Sequence, residues 1–590
     1  EKMSLEEKIA QLLSVEEMQS RCGEASRLGL GSVMWGANGH PGSNRPEDWK
    51  QLMQTLQEQV LKGAHGVPLL YATDSVHGNS HVRHNVLFPH NIALGSTRNE
   101  SLVEAIGEAT AIDSAALGFS WLYAPCVAVV HDLRWGRSYE SFSQDADVVA
   151  QLAAAYVRGV KRSKVPVMTT AKHYIGDGAS RWGTGRHGSD PKPFGIDRGD
   201  AQLGPAELEE QLKPFKAVVE AGVEGLMVSY GSVNGTKMHR HKSLLSKTRD
   251  PRWKGGLEFN GIIVSDYGGV DMLGDSYESS VQEAMNAGID VIMIARPLEC
   301  GTGFNCPRPQ DAIDVIRKLA LTGEVSRDKV EAAAGRVLQT KSDIGLFKSP
   351  FASPPPDRVQ TAHKELARMA ASQSVVLLKN SPGVLPLLPG RPGRQHLCIA
   401  GTAGDDLGLQ CGGWTLSWQG MRGTPTSLGT EGVTILDAAA EWYGSAVISD
   451  SKGACADSSD VVVAVIAEKP YAEYLGDVED LTLRDVDASM LDRVVKSKNA
   501  TKVLVSLAGR PLHIDRWLHH FDVVALASLP GSEGGHGIWD VLSGRVKTQG
   551  KLPFTWPTEG AKLPLVPADE ERRKHEVLYP LGSGLEVATE

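Results

Sequence analysis

Residues 261–271 are Gly261-Ile-Ile-Val-Ser-Asp-Tyr-Gly-Gly-Val-Asp271. The β-branched run Ile262-Ile263-Val264 is typical of a strand buried on both faces, and the Tyr and two glycines after Asp266 indicate a loop. In a β/α barrel, catalytic side chains collect at this end of the strands because the loops leaving it form a shared pocket. We therefore predict that Asp266 is the centre of an active site, although such an Asp can also cap a helix or bond within a turn.

Strand-like and helix-like segments alternate on both sides of this stretch. The predicted strands of the first half are 31–35, 68–73, 121–127, 165–171, 225–230, 261–266 and 291–295. Amphipathic stretches such as 101–117 and 146–161 lie between them. This alternation favours an α/β fold with a parallel sheet closed by right-handed crossovers, a (β/α)8-type TIM barrel. An open doubly wound sheet is the main alternative.

A proline-rich segment ends the first series. A predicted helix over 328–344 is followed by residues 345–356, whose last three prolines can neither continue a helix nor join a central strand. Six further predicted strands cover 375–378, 397–401, 446–449, 461–467, 502–507 and 523–528. We predict a barrel domain over 1–347, a linker and helix over 348–372, and an α/β sandwich domain over 373–590.

Composition and charge disfavour several classes of function. The 590 residues have a formal net charge of -10, so no basic surface is expected for nucleic acid. No apolar stretch approaches the roughly 18 residues of a membrane helix, so no membrane insertion is expected. The seven cysteines are scattered without zinc spacing, although Cys300 and Cys306 could close a small loop.

Four predicted strands of the first half end in polar residues. These endings are Thr73-Asp74, Lys172-His173, Ser229-Tyr230 and Ser265-Asp266. Four such endings at the same end of different strands indicate one polar pocket. Carboxylates together with Lys, His and the nearby Arg137 can make charge-assisted hydrogen bonds to a ring of hydroxyls. The predicted ligand is therefore a sugar.

Five motifs, in order along the chain, resemble glycoside hydrolase family 3. They are Asp132-Leu-Arg-Trp-Gly-Arg-Ser-Tyr-Glu-Ser141, Lys172-His-Tyr-Ile-Gly-Asp-Gly178, Val264-Ser-Asp-Tyr267, Cys411-Gly-Gly-Trp-Thr-Leu-Ser-Trp-Gln-Gly420 and Leu529-Pro-Gly-Ser-Glu-Gly-Gly535. The likeness covers nearly the whole chain and is greatest with β-glucosidases and plant-type two-domain β-D-glucan exohydrolases. It implies a barrel followed by an α/β sandwich, an active site in the crevice between them, and retaining hydrolysis from the non-reducing end.

The resemblance also implies roles for single residues. Asp266 matches the family nucleophile. The positions that match those holding the terminal sugar in subsite -1 are Asp74, Arg137, Lys172, His173 and Tyr230. No cofactor is predicted.

The acid/base must come from the second half of the chain. Residues 467–480 contain five acidic residues, and the plant-type segment that they resemble has its acid/base two residues after Tyr, which indicates Glu473. Glu479 is the next candidate, and Glu468 is expected to be structural. A solvated acidic loop is the alternative interpretation of this run.

Two aromatic residues are predicted to form the +1 site. Trp418 matches one of the two Trp rings that clamp the +1 sugar in the plant-type relatives, and Tyr267 replaces the other. A Tyr ring offers less stacking area and adds a hydroxyl, so the linkage preference is expected to differ. Either ring could instead belong to the core.

We predict a retaining, exo-acting β-glucosidase or β-glucan glucohydrolase that releases glucose from the non-reducing end of β-linked gluco-oligosaccharides. A β-xylosidase of the same family and a non-catalytic sugar-binding protein are the alternatives. The N-acetylglucosaminidase branch is disfavoured, because Asp177 stands where its motif has a second His.

No metal site is predicted. His77, His81 and His84 have ligand-like spacing, but Gly78 makes a helix improbable and no carboxylate completes the set. The expected partners are β-linked glucosides and oligosaccharides, and the protein is expected to be a monomer or homodimer. We expect it to be secreted or periplasmic, with its signal peptide absent from this sequence.

Overall fold

The computed structural model describes residues 2–16, 22–35, 39–63, 65–185, 194–250, 256–274, 276–295, 307–351, 358–390, 393–565 and 575–587. Two predictions from the sequence lie outside these residues, the Cys300–Cys306 loop and the prolines at 354–356. The chain divides into a first unit, Glu1–Val82, Gly107–Val129 and Ala153–Pro356, and a second unit, Arg83–Ile106, Val130–Leu152 and Asp357–Glu590.

The described part of the first unit contains an eight-stranded parallel sheet. Its strands are β1 Leu13–Glu16, β2 Ser32–Met34, β3 Leu70–Thr73, β4 Trp121–Leu122, β5 Met168–Tyr174, β6 Gly225–Val228, β7 Ile262–Val264 and β8 Ile292–Ile294. Each strand pairs in parallel with the next from β1 to β7, and β1 also pairs with β8. A parallel bridge between Val264 and Val291 joins β7 to β8. The predicted barrel is confirmed, and the open sheet is excluded.

The sequence prediction missed β1. Leu13–Glu16 begins three residues after the helix Leu5–Ala10, which has a capping box between Ser4 and Glu7. The apolar residues Leu12, Leu13 and Val15 continue the spacing of that helix, so no local signal separates the strand from it. β1 nonetheless pairs in parallel with both β2 and β8. Glu16 is its last residue and therefore lies at the carboxyl end of the barrel.

Helices follow the barrel strands. Those that lie wholly in the first unit are Leu5–Ala10, Cys22–Leu28, Pro46–Leu61, Pro205–Glu220, Lys242–Lys247, Tyr277–Ala287, Pro309–Thr322 and Arg327–Asp343. Glu100–Ala115 and Ala146–Arg162 each run across a boundary between segments of the two units. A small sheet of Asp200–Ala201, Ser232–Val233 and Thr236–Lys237 lies beside β6 in the chain.

The second unit is built on a six-stranded sheet with a core on each face. Its strands are β9 Val376–Asn380, β10 Leu397–Ala400, β11 Val447–Asp450, β12 Val461–Ile466, β13 Thr501–Ser506 and β14 Val523–Leu526, in the order β9-β14-β13-β12-β10-β11. Only the β9–β14 pair is antiparallel among these strands. Alternate residues of β12 enter opposite clusters, Val461, Val463 and Val465 in one and Val462, Ala464 and Ile466 in the other. All six predicted strands and the α/β sandwich are confirmed.

Helices and one cross-link complete this unit. Its helices are Asn91–Thr97, Arg358–Ser374, Leu407–Cys411, Pro425–Leu428, Ile435–Tyr443, Asp485–Val494, Asp515–Leu518 and Gly534–Leu542. A disulfide joins Cys398 in β10 to Cys455, with Cα atoms 5.6 Å apart. Cys411 is a buried free thiol.

Two segments of the N-terminal half, 83–106 and 130–152, group with the second unit. Their hydrogen bonds explain this, because Asn99 Nδ2 donates to Gln373 Oε1 at 2.9 Å and Ser143 Oγ donates to the Pro553 carbonyl at 2.7 Å. The predicted domain boundaries placed both segments in the barrel domain. Arg137 therefore lies in the second unit, and the boundaries at 347 and 373 stay a prediction.

Candidate active site

Asp266 lies two residues beyond β7, and its first-unit neighbours fix its backbone and carboxylate. Its Oδ1 accepts the Tyr267 N–H at 2.7 Å, and its own N–H donates to Nε2 of His239 at 3.0 Å. Burial, followed by the charges of Lys237 and His173, lowers the pKa of His239 to about 3. A neutral ring keeps an unprotonated nitrogen, which is what the Asp266 N–H requires of its acceptor.

A chain of hydrogen bonds leads from a backbone amide to the His173 ring, which faces Asp266. The Nδ1 of His173 donates to Asp177 Oδ2 at 2.6 Å, because a carboxylate can only accept. Asp177 Oδ1 also accepts from Ser229 Oγ, and Ser229 Oγ accepts the Gly231 N–H at 2.9 Å. The other ring nitrogen, Nε2, lies 3.5 Å from Asp266 Oδ2. The hydrogen bond at Nδ1 thus orients the His173 ring, and the Nε2 edge of the ring faces the predicted nucleophile Asp266.

Lys172 and Asp74 form a buried ion pair at the same end of the barrel. Lys172 Nζ donates to Asp74 Oδ1 at 2.8 Å, and the lysine side chain is 2% exposed. His81 lies close by, and burial lowers its pKa, with Asp74 acting in the opposite sense. A buried cation held by a carboxylate keeps its charge without the cost of isolation.

Tyr267 is held at three points. Its N–H donates to Asp266, its carbonyl accepts from the Tyr230 hydroxyl, and its own hydroxyl donates to Glu16 Oε2 at 2.6 Å. The guanidinium of Arg198 covers the Tyr230 ring, 4.2 Å from its centroid. These contacts fix both aromatic rings beside Asp266.

The second unit carries its own polar cluster around Arg137. Its guanidinium donates to both carboxylate oxygens of Glu140, at 2.8 and 2.9 Å. Trp414 Nε1 donates to Glu140 Oε1 at 3.0 Å. Arg137 Nη1 lies 3.6 Å from Glu473 Oε1, so this predicted acid/base is next to a cation whose charge Glu140 already balances.

The five acidic residues of 467–480 differ in their surroundings. Glu468 accepts from the Tyr471 hydroxyl at 2.8 Å and pairs with the buried Arg510, as expected for a structural residue. Asp477 accepts the Gly136 N–H at 2.7 Å. Of the five acidic residues, Glu479 and Asp480 are exposed. Glu473 is buried and lies beside Arg137, which distinguishes it from the other four.

Trp418 contacts Tyr474, the residue that follows Glu473. Their ring centroids are 5.8 Å apart and the planes meet at 65°, an edge-to-face arrangement. Trp418 is half-buried, so its ring is not ordinary core.

The predicted site residues therefore fall into two groups. The first-unit group is Asp74, Lys172, His173, Tyr230, Asp266 and Tyr267, and the second-unit group is Arg137, Trp418 and Glu473. In the first group, Lys172 pairs with Asp74, and His173 and Tyr267 both contact Asp266. In the second group, Arg137 contacts Glu473, and Trp418 contacts Tyr474 beside it in the chain. In the part of the chain that the structure describes, no cluster of three or more His, Cys, Asp or Glu could hold a metal ion, and no helix is long and apolar enough to cross a membrane.

Four supporting residues were not identified from the sequence as site residues. They are Glu16, Glu140, Asp177 and His239. Two of them had a local signal, because Glu140 lies three residues after Arg137 and Asp177 four residues after His173 in the quoted motifs. Glu16 and His239 reach their partners only through the tertiary fold.

Comparisons with known proteins agree with this architecture. The model of the glycosyl hydrolase family 3 N terminal domain matches residues 4–340, and that of the C-terminal domain matches 375–587. The lysosomal beta glucosidase of Dictyostelium discoideum is 29% identical, over 92% of this chain and 67% of that protein. Beta-D-xylosidase 1 of Arabidopsis thaliana is 28% identical, over 91% of this chain and 73% of that protein. The crystal structure of exo-1,3/1,4-beta-glucanase (ExoP) from a Pseudoalteromonas species is 30% identical with a TM-score of 0.86, covering 99% of this chain and 73% of that chain.

Proposed function

The chain belongs to glycosyl hydrolase family 3, and from that membership we propose that it is a retaining, exo-acting β-glucosidase that releases glucose from the non-reducing end of β-linked gluco-oligosaccharides. The observation that carries the proposal is the buried Asp266 carboxylate beyond β7, with His173 Nε2 3.5 Å away. The Lys172–Asp74 ion pair lies at the same barrel end. These donors and acceptors suit a ring of hydroxyls beside a nucleophile.

In the proposed mechanism, Asp266 attacks the anomeric carbon while protonated Glu473 gives its proton to the leaving oxygen. Water then replaces Asp266 on the anomeric carbon as Glu473 takes its proton, and configuration is retained. Asp74, Lys172, His173, Tyr230 and Arg137 are proposed to hold the terminal sugar. The supports for Glu473 are its burial and its contact with Arg137, in a loop whose other acids are exposed or bonded elsewhere.

We place the leaving sugar at Trp418 and Tyr267. Trp418 offers a half-buried aromatic ring in the second unit, and Tyr267 directly follows the proposed nucleophile. The Tyr267 hydroxyl is already engaged by Glu16, so the ring face is the surface it would offer to a sugar.

β-Xylosidase is the second candidate activity. The 28% identity to Beta-D-xylosidase 1 is close to the 29% identity to the lysosomal beta glucosidase, so identity alone does not choose the sugar. The two sugars differ only in the hydroxymethyl group, and its recognition rests on a few contacts.

Secretion or a periplasmic location remains part of the proposal. The Cys398–Cys455 disulfide supports it, because such bonds persist in oxidising compartments and are rare in the cytosol. The partners proposed are β-linked glucosides and oligosaccharides.

A panel of 4-nitrophenyl glycosides tests the activity, with the anomer of the first product followed by NMR. We expect the β-glucoside to be cleaved fastest and the β-anomer of glucose to appear first. A faster β-xyloside would select the second candidate, α-glucose as first product would exclude retention, and no turnover of any glycoside would leave only a sugar-binding protein.

Covalent labelling tests the nucleophile. A 2-deoxy-2-fluoro-glucoside with a good leaving group should inactivate the enzyme and label the peptide that contains Asp266. Asp266→Asn should remain unlabelled while Asp271→Asn, five residues further, is labelled like the wild type. Label on any other peptide would remove Asp266 from this role.

Leaving-group dependence tests the acid/base. Glu473→Ala should retain activity on 2,4-dinitrophenyl glycosides, which need no proton, and should recover rate with azide. The exposed neighbour Glu479 offers the matched variant Glu479→Ala, which should behave as wild type. Equal loss on all substrates by Glu473→Ala would contradict the assignment.

A further inference from the structure

Glu473 has an unusual backbone conformation. Its φ is +54°, in the left-handed region, although it is not glycine. For a residue with a Cβ this conformation is unfavourable, and it persists only where the surroundings enforce it. The residues that enforce it are therefore of interest, because they determine where the Glu473 side chain points.

The side chain of Gln419 forms two hydrogen bonds with the backbone of Ala472, the residue before Glu473. Its Nε2 donates to the Ala472 carbonyl at 3.2 Å, and its Oε1 accepts the Ala472 N–H at 2.9 Å. Ala472 is extended, with φ -138° and ψ 149°, so the amide side chain pairs with it as a neighbouring strand would. Both polar atoms of the Ala472 backbone are thus fixed by one side chain.

The loop is closed on the other side by backbone contact. A Cβ added to Gly136 would lie 2.1 Å from the carbonyl oxygen of Glu473, so no larger residue fits there. The buried Arg510 donates to the Gly476 carbonyl at 2.6 Å and to the Tyr471 hydroxyl at 3.0 Å, one on each side of Glu473 in the chain. Gln419 is the half-buried member of this enclosure, which makes it the member that can be replaced with least harm to folding.

Gln419 also connects this loop to the proposed leaving-group site. It directly follows Trp418, whose carbonyl accepts the Trp414 N–H at 3.0 Å and whose ring meets the edge of Tyr474. The Gln419 amide therefore links the turn that contains Trp418 to the turn that contains Glu473 by hydrogen bonds.

We propose that Gln419 is a positioning residue for the acid/base, which fixes the backbone of Glu473 and holds its carboxyl group at the oxygen of a leaving group bound at Trp418. This inference rests on the proposed role of Glu473. It predicts a loss confined to substrates whose departure needs a proton, because misplacing a catalytic group by about 1 Å costs about a hundredfold in rate.

The test compares Gln419→Met with a matched control elsewhere in the chain. Gln57 makes the same two hydrogen bonds, donating to the Leu69 carbonyl at 3.0 Å and accepting the Leu69 N–H at 2.8 Å. Leu69 precedes β3, at the barrel end opposite Asp74. Gln57→Met therefore removes the same pair of hydrogen bonds at a place away from the proposed chemistry. Methionine keeps the chain length of glutamine and removes both polar groups.

The readout is kcat/KM on phenyl and 2,4-dinitrophenyl glycosides of the sugar that the panel selects. For Gln419→Met we expect about a ten- to hundredfold fall on the phenyl glycoside and less than about a threefold change on the dinitrophenyl glycoside. Gln57→Met should lower the melting temperature without changing the ratio of the two rates. Gln419→Glu keeps the acceptor for the Ala472 N–H and should show an intermediate ratio.

Each other result identifies what is wrong. A ratio for Gln419→Met equal to that of the wild type, while Glu473→Ala shows strong leaving-group dependence, overturns the positioning role and leaves the acid/base assignment intact. The same ratio change in Gln57→Met also overturns it, because the effect would then be one of general stability. A Glu473→Ala variant without leaving-group dependence overturns the acid/base assignment and this inference with it.

Discussion

Removal of the Cys398–Cys455 disulfide is expected to destabilise the second unit without changing its chemistry. Cys398 lies on β10, between β12 and β11 in the sheet, and Cys455 lies in the turn Ala454–Ser458. Both are buried. The bond links residues 57 positions apart, so it restricts a long loop of the unfolded chain. Among the residues that the structure describes, neither cysteine contacts a residue of the proposed active site.

The size of the effect follows from that loop. The chain-entropy relation for a loop of this length gives about 4 kcal/mol at 25 °C. A cooperative unit of a few hundred residues loses roughly 2–4 °C of melting temperature per kcal/mol. The double variant Cys398→Ala/Cys455→Ala should therefore melt about 8–16 °C lower in the transition of the second unit.

Differential scanning calorimetry measures this shift, and Cys411→Ala supplies the control. Cys411 is a buried free thiol in the same unit, so its replacement creates a cavity but removes no cross-link. We take twice the melting-temperature shift of Cys411→Ala as the allowance, meaning the shift expected from the two cavities of the double variant alone. If the double variant loses no more than this allowance, the loop-entropy argument is refuted. In thiol titrations of the unfolded proteins, reductant must release two more thiols from the wild type than from the double variant.

Three further changes test the supporting residues. Asp177→Asn should lower kcat/KM about tenfold to a hundredfold, since it replaces a charge-assisted hydrogen bond to His173 worth about 1.5–3 kcal/mol; a change below about threefold would show that the carboxylate is not needed. For His239, the folded pKa of about 3 lies below the ordinary value of 6.5. The unfolded chain then binds the proton more readily, so stability is complete above pH 6.5 and is lost as pH falls toward 3. His239→Gln should reduce the difference between urea unfolding at about pH 5 and about pH 7.5, and an unchanged difference would contradict this. Tyr267→Phe removes the bond to Glu16 and should alter the ratio of rates on 1,3- and 1,4-linked glucobioses, whereas Glu16→Gln, which keeps an acceptor, should leave that ratio unchanged.

The fold could be predicted where local residue types determine the strand. The predicted segments that contain β7, β12 and β13 are rich in β-branched residues and shorter than an ordinary helix, and all three strands were found. β1 was missed because its four residues continue the apolar spacing of the preceding helix. β4 is shorter than the predicted 121–127, although Cys126 still forms an isolated parallel bridge with Lys172 beyond Pro125.

The division of the chain could not be predicted in the same way. The segments 83–106 and 130–152 contain ordinary helix and loop signals, and nothing in them indicates which half they join. Their decisive hydrogen bonds reach Gln373 and Pro553, hundreds of residues away in the chain. Only tertiary contact could have shown that Arg137 belongs to the second unit.

The same distinction separates the site residues that were predicted from those that were missed. The residues proposed to bind or react were predicted from their type and from the family resemblance, since carboxylates, Lys, Arg and His have the chemistry that hydroxyl binding and nucleophilic attack require. Glu16, Gln419 and His239 have no required chemistry of their own; each acts by holding a neighbour, over separations of 251, 53 and 27 residues. Their contribution depends on where the folded chain places them, and residue type alone does not indicate that position.

The buried cations Lys172 and Arg137 of the candidate site show what this means for experiments. Lys172 is paired with Asp74, and Arg137 is paired with Glu140, each within its own unit. Breaking a buried pair from one side costs about 3–5 kcal/mol, because the remaining charge is left without compensation. A single substitution at Asp74 or Glu140 would therefore lower stability as well as activity. Kinetic loss in such a variant counts as evidence for a sugar contact only when the variant's folded fraction has been measured under the assay conditions.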